Sequence, residues 1–250
     1  MKVALFVPCY VDQFYPRVAR ATLELLEKQG LEVEFPLAQT CCGQPLANAG
    51  GEDYALAVYR HFVETFAGYE YIVSPSGSCV YHVRHHFARA EQTPEVQHVR
   101  ARTYELCQFL SEVIGVEGFD FAFPRRVGLH IGCHAQRGLR LAQSSELSDE
   151  WGGVASSLLK RIKGLELVEL DRRDECCGFG GTFCVTEEAV SVRMGLDRVL
   201  DHQRHGVEVL TGSDMSCLMH LEGIIRRHRI PIEVMHIAEI LNGGNHDRSP

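Results

Sequence analysis

No stretch of this 250-residue chain stays apolar for the length a bilayer requires, so membrane contact is expected only through a partner and not by direct insertion. The opening MKVALFVPCY has one lysine, a short apolar run and no small-residue cleavage site; it reads as a buried β-strand rather than a signal peptide. The expected location is therefore cytoplasmic. Positive charge is not in surplus, since 25 Lys+Arg stand against 33 Asp+Glu for a net charge of −8. The basic residues are scattered apart from RRHR at 226–229, a solvated helix end where cations suit the dipole. This argues against nucleic acid as the main partner. Signatures of common chemistries are missing too. There is no Cys-x-x-Cys-His for haem and no Gly-x-Ser-x-Gly nucleophile elbow, and GFGGT at 178–182 lacks the full dinucleotide spacing.

Cysteine is what the chain has in quantity: ten in all. In a reducing compartment that number points to metal or redox chemistry rather than disulfides. A small apolar core residue would account for one or two thiols, but not for a repeated pattern. Cys9 is followed after 32 positions by Cys41-Cys42-Gly43, and Cys133 after 43 positions by Cys176-Cys177-Gly178. A further 37 positions separate Cys42 from Cys79, and 40 separate Cys177 from Cys217. Internal duplication is the simplest account. It divides the chain into a first cysteine-rich repeat at 1–114, a linker at 115–126 (GVEGFDFAFPRR) and a second repeat at 127–241.

The local patterns agree. KVALFVPCY and RVGLHIGCH are β-rich runs ending at Cys9 and Cys133. GLEVEFPLAQTCCG matches GLELVELDRRDECCG, and YEYIVSPSGSC matches VEVLTGSDMSC. Amphipathic helical patterns cover 16–29, 53–67, 103–114, 187–205 and 217–229. The fold expected is α/β: two tandem pseudo-symmetric repeats with mainly parallel strands and cysteine-bearing loops at the C-terminal strand ends, where open α/β sheets build their sites. Helices starting beyond several cysteines favour thiolate over thiol. Each half is thus expected to gather four thiols into its own pocket.

Four converging thiolates suit an iron–sulfur cluster or tetrahedral zinc. Structural zinc usually draws on two short knuckles, whereas each half here has one close pair and that pair is adjacent. Adjacent thiolates point in different directions, which favours a wider iron–sulfur cluster, one per repeat; zinc at one or both sites is the alternative. Gly43 and Gly178 are expected to bind the cofactor, letting backbone approach cluster sulfur and donating amide hydrogen bonds.

The paired Cys…Cys-Cys-Gly…Cys pattern resembles the CCG cysteine-rich domains of heterodisulfide reductase and of the iron–sulfur components of glycolate and glycerol-3-phosphate oxidising complexes. CYVDQFYP (9–16), QTCCGQP (39–45), ECCGFGGTF (175–183) and HIAEIL (236–241) resemble the lactate-utilisation protein A family. The resemblance spans about residues 2–241. It implies an iron–sulfur electron-transfer subunit of a complex oxidising L-lactate, a 2-hydroxy acid, to pyruvate. The implied partners are a ferredoxin-like iron–sulfur subunit and a third small subunit. It also implies metal ligation by Cys9, Cys41, Cys42 and Cys79 in one half and by Cys133, Cys176, Cys177 and Cys217 in the other. Thiol–disulfide chemistry of the heterodisulfide reductase kind would need a final Cys-x-x-Cys, and here its first position is Ser76 or Asp214. A third possibility is a zinc scaffold without redox chemistry. Asp214 is expected to cap a helix or sit in a loop, and Cys107 and Cys184 to be packing residues. His82, His85 and His86 are expected on a solvated or partner-facing helix. His130 and His134, flanking Cys133, are placed to hydrogen-bond a thiolate or shuttle a proton, or to be satisfied by backbone carbonyls.

Overall fold

The strands of this protein are short, three to five residues, and most are buried along their length, as parallel strands covered on both faces must be. A computed structural model describes residues 1–146 and 152–244. In the first half β1 (Lys2–Leu5), β2 (Glu32–Glu34), β3 (Tyr71–Ser74) and β4 (Thr103–Glu105) form a parallel sheet in the order β2-β1-β3-β4. In the second, β5 (Arg126–His130), β6 (Glu166–Val168), β7 (Val209–Gly212) and β8 (Glu233–His236) repeat it as β6-β5-β7-β8, again parallel throughout. Order and direction are the same in both, as duplication requires. Among the described residues, no helix is long and apolar enough to cross a membrane.

Helices Pro16–Lys28, Glu52–Phe66, Glu188–Arg204 and Met215–His228 fall where the 3.6-residue periodicity places them. The segment 103–114 does not run as one helix: it opens as β4, turns through Leu106–Gln108 and ends as a π-helical turn, Phe109–Ile114. On helix Gly77–His86 the expected solvent-facing histidines divide: His85 is exposed and His86 partly so, but His82 is not. His82 is fully buried, its Nε2 is 2.9 Å from the Tyr59 hydroxyl, and its ring stacks on His86 with centroids 4.5 Å apart. Burial holds its pKa down at about 3, so this imidazole is neutral.

The halves share material. One core runs through both, from Val3 and Leu5 to Val127, Leu129 and Val209, and the connecting segment contributes buried Val116 and Phe123. Helix Ile237–Leu241 of the second half lies against Pro16–Lys28 of the first, with Arg17 and Glu239 ion-paired at 2.8 Å. Reciprocally, Leu106–Gln108 lies against Gly153–Leu159. Where the halves meet at the strand ends, Ser76 and Asp214, equivalent positions in the repeat, bridge to each other in antiparallel fashion, and the Gly77 amide donates to Ser213 O at 3.3 Å. Asp214 does cap a helix, but the other half's: its carboxylate accepts from the Ser78 amide at 2.7 Å and from the Ser78 hydroxyl at 3.1 Å. Because each sheet ends its cysteine loops at this seam, the two sets of loops face one another.

β4 ends on Glu105, a buried carboxyl that accepts from the Gln108 amide at 3.0 Å. Burial raises its pKa to about 7. A carboxyl raised in the folded state loses stability as pH rises from its unfolded value through the folded one. Glu105→Gln should therefore remove a loss of about 2–3 kcal/mol between roughly pH 4.5 and 7. Urea unfolding of both proteins across that range checks this; parallel pH dependences would refute it.

Candidate functional site: two sulfur quartets on one cleft

The cysteine loops are placed by backbone that only glycine permits. Gly43 (φ 89°) and Gly178 (φ 87°) take the left-handed conformation. A Cβ on Gly43 would sit 2.9 Å from the Tyr59 ring, and one on Gly178 would sit 2.6 Å from Ser191 O. The same turn aims each glycine amide back at the sulfur two residues earlier, Gly43 N to Cys41 Sγ and Gly178 N to Cys176 Sγ, both at 3.4 Å. The last cysteine of each set, Cys79 or Cys217, lies in the first turn of the helix that follows β3 or β7. Cys9 opens helix Cys9–Phe14, and Cys133 precedes the turn His134–Gly138.

In each half the four thiols form a continuous series. Cys9 donates to Cys41 with sulfurs 3.8 Å apart, and Cys42 joins Cys41 to Cys79. In the same way Cys133 meets Cys176, and Cys177 joins Cys176 to Cys217. Hydrogen bonds from Cys42, Cys9 and the Gly43 amide pull the Cys41 pKa well down; those from Cys133, Cys177 and the Gly178 amide do the same for Cys176. Donation to that thiolate, together with burial, pushes Cys9, Cys42, Cys133 and Cys177 up. Each quartet thus concentrates negative charge on the first cysteine of its pair.

The eight thiols do not occupy two separate pockets. All of them line one cleft of about 440 Å³ at the seam between the halves, with Asp214, Ser76, His134 and the loop 179–182. Cys9 and Cys41 also face a neighbouring cavity of about 400 Å³ bordered by Phe35 and Leu37. The two cysteines outside the repeat behave as packing residues do: Cys107 is buried in the core, and Cys184 is half-buried with its thiol directed to Gly181 O at 3.0 Å. Cys184→Ser should leave metal content per chain unchanged, to be read by elemental analysis; loss of a centre would make Cys184 a ligand.

Three features of the site had no clear mark in the sequence. Tyr10 and Phe179, the residues after Cys9 and after Gly178, meet edge-on at 5.8 Å. Their only signal is an aromatic beside each motif. Ser76 and Ser78 hold Asp214 from the opposite half. Arg198 is completely buried behind the second quartet. It donates to Leu129 O at 3.2 Å, to Arg172 O, and through Nε to His130 Nδ1 at 3.3 Å. His130 in turn brings a ring nitrogen within 4.8 Å of Cys177 Sγ and Cys217 Sγ.

The donor set fits a thiolate-ligated inorganic centre in each half. In each half the four sulfurs run in series rather than closing on one point: among the described residues, the thiols in a group of three donors lying within 4.8 Å of one another are Cys177 and Cys217, with His130. One sulfur of each series is favoured as thiolate and has an amide aimed at it, an anionic row that a cation or cluster would neutralise. Fold and site together define a tandem cysteine-rich α/β protein whose sulfur quartets share one opening. The family model described as the CCG cysteine-rich domain matches residues 3–84 and 127–222, covering each quartet in turn. Lactate utilization protein A of Halalkalibacterium halodurans is 43% identical over 246 residues, 97% of each chain. That of Geobacillus thermodenitrificans is 43% identical over 250 residues, 98% of this chain and all of the relative. The chain belongs to the CCG cysteine-rich domain family, among the proteins of the lactate utilization protein A type. A crystal structure of a hypothetical protein from Helicobacter pylori shares the fold, with a TM-score of 0.60 at 11% identity, over 99% of this chain and 50% of its own length.

Proposed function

We propose that this protein is an iron–sulfur electron-transfer subunit acting in the oxidation of lactate to pyruvate. Cys9, Cys41, Cys42 and Cys79 hold one centre, and Cys133, Cys176, Cys177 and Cys217 hold the other. The observation that carries this is the placement of both sulfur quartets on one open cleft. Both quartets line one cleft, which keeps each centre within reach of the other and of a docked partner for electron exchange. Relatives 43% identical over nearly the whole chain are named for lactate utilisation. Oxidising a 2-hydroxy acid to a 2-oxo acid removes two electrons, which zinc cannot accept. An iron–sulfur centre, when bound, takes up and passes on single electrons.

The chain's own groups set the conditions for that chemistry. The Gly43 and Gly178 amides and the helix starts at Gly77 and Met215 stabilise sulfur charge. Seam contacts through Asp214 fix one quartet relative to the other. The proposed partners are a ferredoxin-like iron–sulfur subunit and a third small subunit. Leu37, 90% exposed beside the cavity that reaches Cys9 and Cys41, supports an approach on that side.

One observation favours zinc. The 3.8 Å separation of Cys9 and Cys41 sulfurs equals the edge of a tetrahedron with metal–sulfur bonds of about 2.3 Å. Anaerobic purification with iron, sulfide and zinc counted per chain separates the readings. The expected result is a brown protein with iron and sulfide in both halves, bleached by dithionite. A colourless protein that carries zinc and cannot be reconstituted with iron overturns the proposal and leaves the scaffold reading.

A further inference from the structure

The two quartets match in sulfur but not in their surroundings. Aligning Cys9 with Cys133 sets Phe6 of the first half against His130 of the second. Both are buried at the end of the central strand. Phe6 packs among Phe62 and Phe66 and offers sulfur no donor. A ring nitrogen of His130 lies within 4.8 Å of Cys177 Sγ and Cys217 Sγ. Its Nδ1 faces the Arg198 Nε at 3.3 Å, and its Nε2 is buried without a protein partner among the described residues.

Arg198 decides which nitrogen carries the hydrogen. A guanidinium has only donors and stays protonated in proteins. The nitrogen it addresses must therefore present a lone pair, so Nδ1 is bare and the hydrogen of the neutral ring sits on Nε2. The same contact disfavours His130 as a ligand. Ligation through Nε2 would move the hydrogen to Nδ1, against Arg198 Nε–H, with both groups buried.

We propose that His130, locked in the Nε2–H form by Arg198, holds that unpartnered hydrogen ready for the sulfurs of the second quartet, donates to one of them once a centre is bound, and makes the centre there more readily reduced than its counterpart in the first half. This deepens the iron–sulfur reading and rests on it. A donor at ligand sulfur stabilises the more negative, reduced state, and outer partners of this kind tune metal sites. His130 is a positioning residue: it acts through sulfur and holds no metal. The site it defines is mixed, four thiolates plus one imidazole N–H, on one side of the cleft only.

Two measurements test this, both on the full chain. In the metal-free, reduced protein, ¹⁵N shifts and two-bond couplings of the His130 ring report the tautomer. Hydrogen on Nε2 is expected, and hydrogen on Nδ1 overturns the proposal without reference to iron. In the reconstituted protein, redox titration followed by electron paramagnetic resonance gives the potentials of both centres, assigned with variants that keep only one. His130→Phe should retain iron and sulfide, leave the first centre unmoved and make the second harder to reduce, changing its reduced-to-oxidised ratio at fixed potential by about tenfold. His130→Gln, which can both accept from Arg198 and donate to sulfur, should recover much of that shift. Equal potentials in wild type and both variants overturn the proposal, as does loss of second-half iron from both, which would make His130 a ligand. Wild-type protein without iron defeats the function proposed above, and the tautomer still decides the placement of the donor.

Discussion

Cys42→Ala is expected to halve the iron and sulfide per chain, emptying the first half while the second keeps its centre. Cys42 is 2% exposed and joins Cys41 to Cys79 in the sulfur series. Water cannot take its place at the base of the cradle as it could at exposed Cys133. The variant separates folding from ligation. In metal-free protein, deleting one buried sulfur should cost on the order of 1 kcal/mol. In loaded protein the loss extends to the binding free energy itself, about 10–16 kcal/mol for structural zinc in small domains. The stabilisation that wild type gains on loading should therefore shrink far more than its metal-free stability. Cys177→Ala, 3% exposed at the equivalent place, should give the mirror result. Full iron and sulfide in either variant would remove that cysteine from the ligand set.

The repeat could be read from the sequence because it is written in spacing. Eight cysteines in register, each after a short apolar run, require two similar sheets. Six of the eight strands can be found that way. The other two, Thr103–Glu105 and Glu233–His236, are hidden for a physical reason. Neither leads into a cysteine of the repeat, so the spacing does not mark it, and helical periodicity over 103–114 runs straight through the first of them. His82 was obscured differently: VYHVRHHF looks polar, and only the fold brings Tyr59 to its Nε2.

The sharing of one cleft lay beyond the sequence because it depends on how the halves pack. Nothing in the residues from 74 to 79 says that Ser76 will pair with Asp214, 138 positions away. Yet that pairing turns two pockets into two walls of one opening. The positions where a Cys-x-x-Cys element would have begun instead carry this polar seam. In that sense the departure from the heterodisulfide reductase pattern has a structural role of its own. Ser78 and Asp214 fix the two starting helices relative to each other through direct hydrogen bonds.

Arg198 is the other residue that sequence could not single out, since an arginine in the pattern 187–205 reads as part of a helix's solvated face. Its substitution should be the most destabilising in the metal-free protein. The side chain is fully buried, and burial lowers its pKa only to about 10, so it is charged at neutral pH. It satisfies Leu129 O, Arg172 O and His130 Nδ1, and lies 3.6 Å from the carboxylate of Asp201. Arg198→Met fills similar volume but leaves those acceptors without a donor. A loss of about 3–5 kcal/mol is expected, lowering the thermal midpoint by on the order of 10 °C for a chain of this size. Asp201 keeps the Arg172 amide at 3.0 Å and Arg204 at 3.2 Å, so most of the loss belongs to the stranded carbonyls and imidazole. Arg198→Lys should recover only part of it, because a single ammonium cannot span acceptors held apart by a planar fork. Thermal and urea unfolding of the three metal-free proteins measures this; a methionine variant within about 1 kcal/mol of wild type would mean that the buried network does not stabilise the second half.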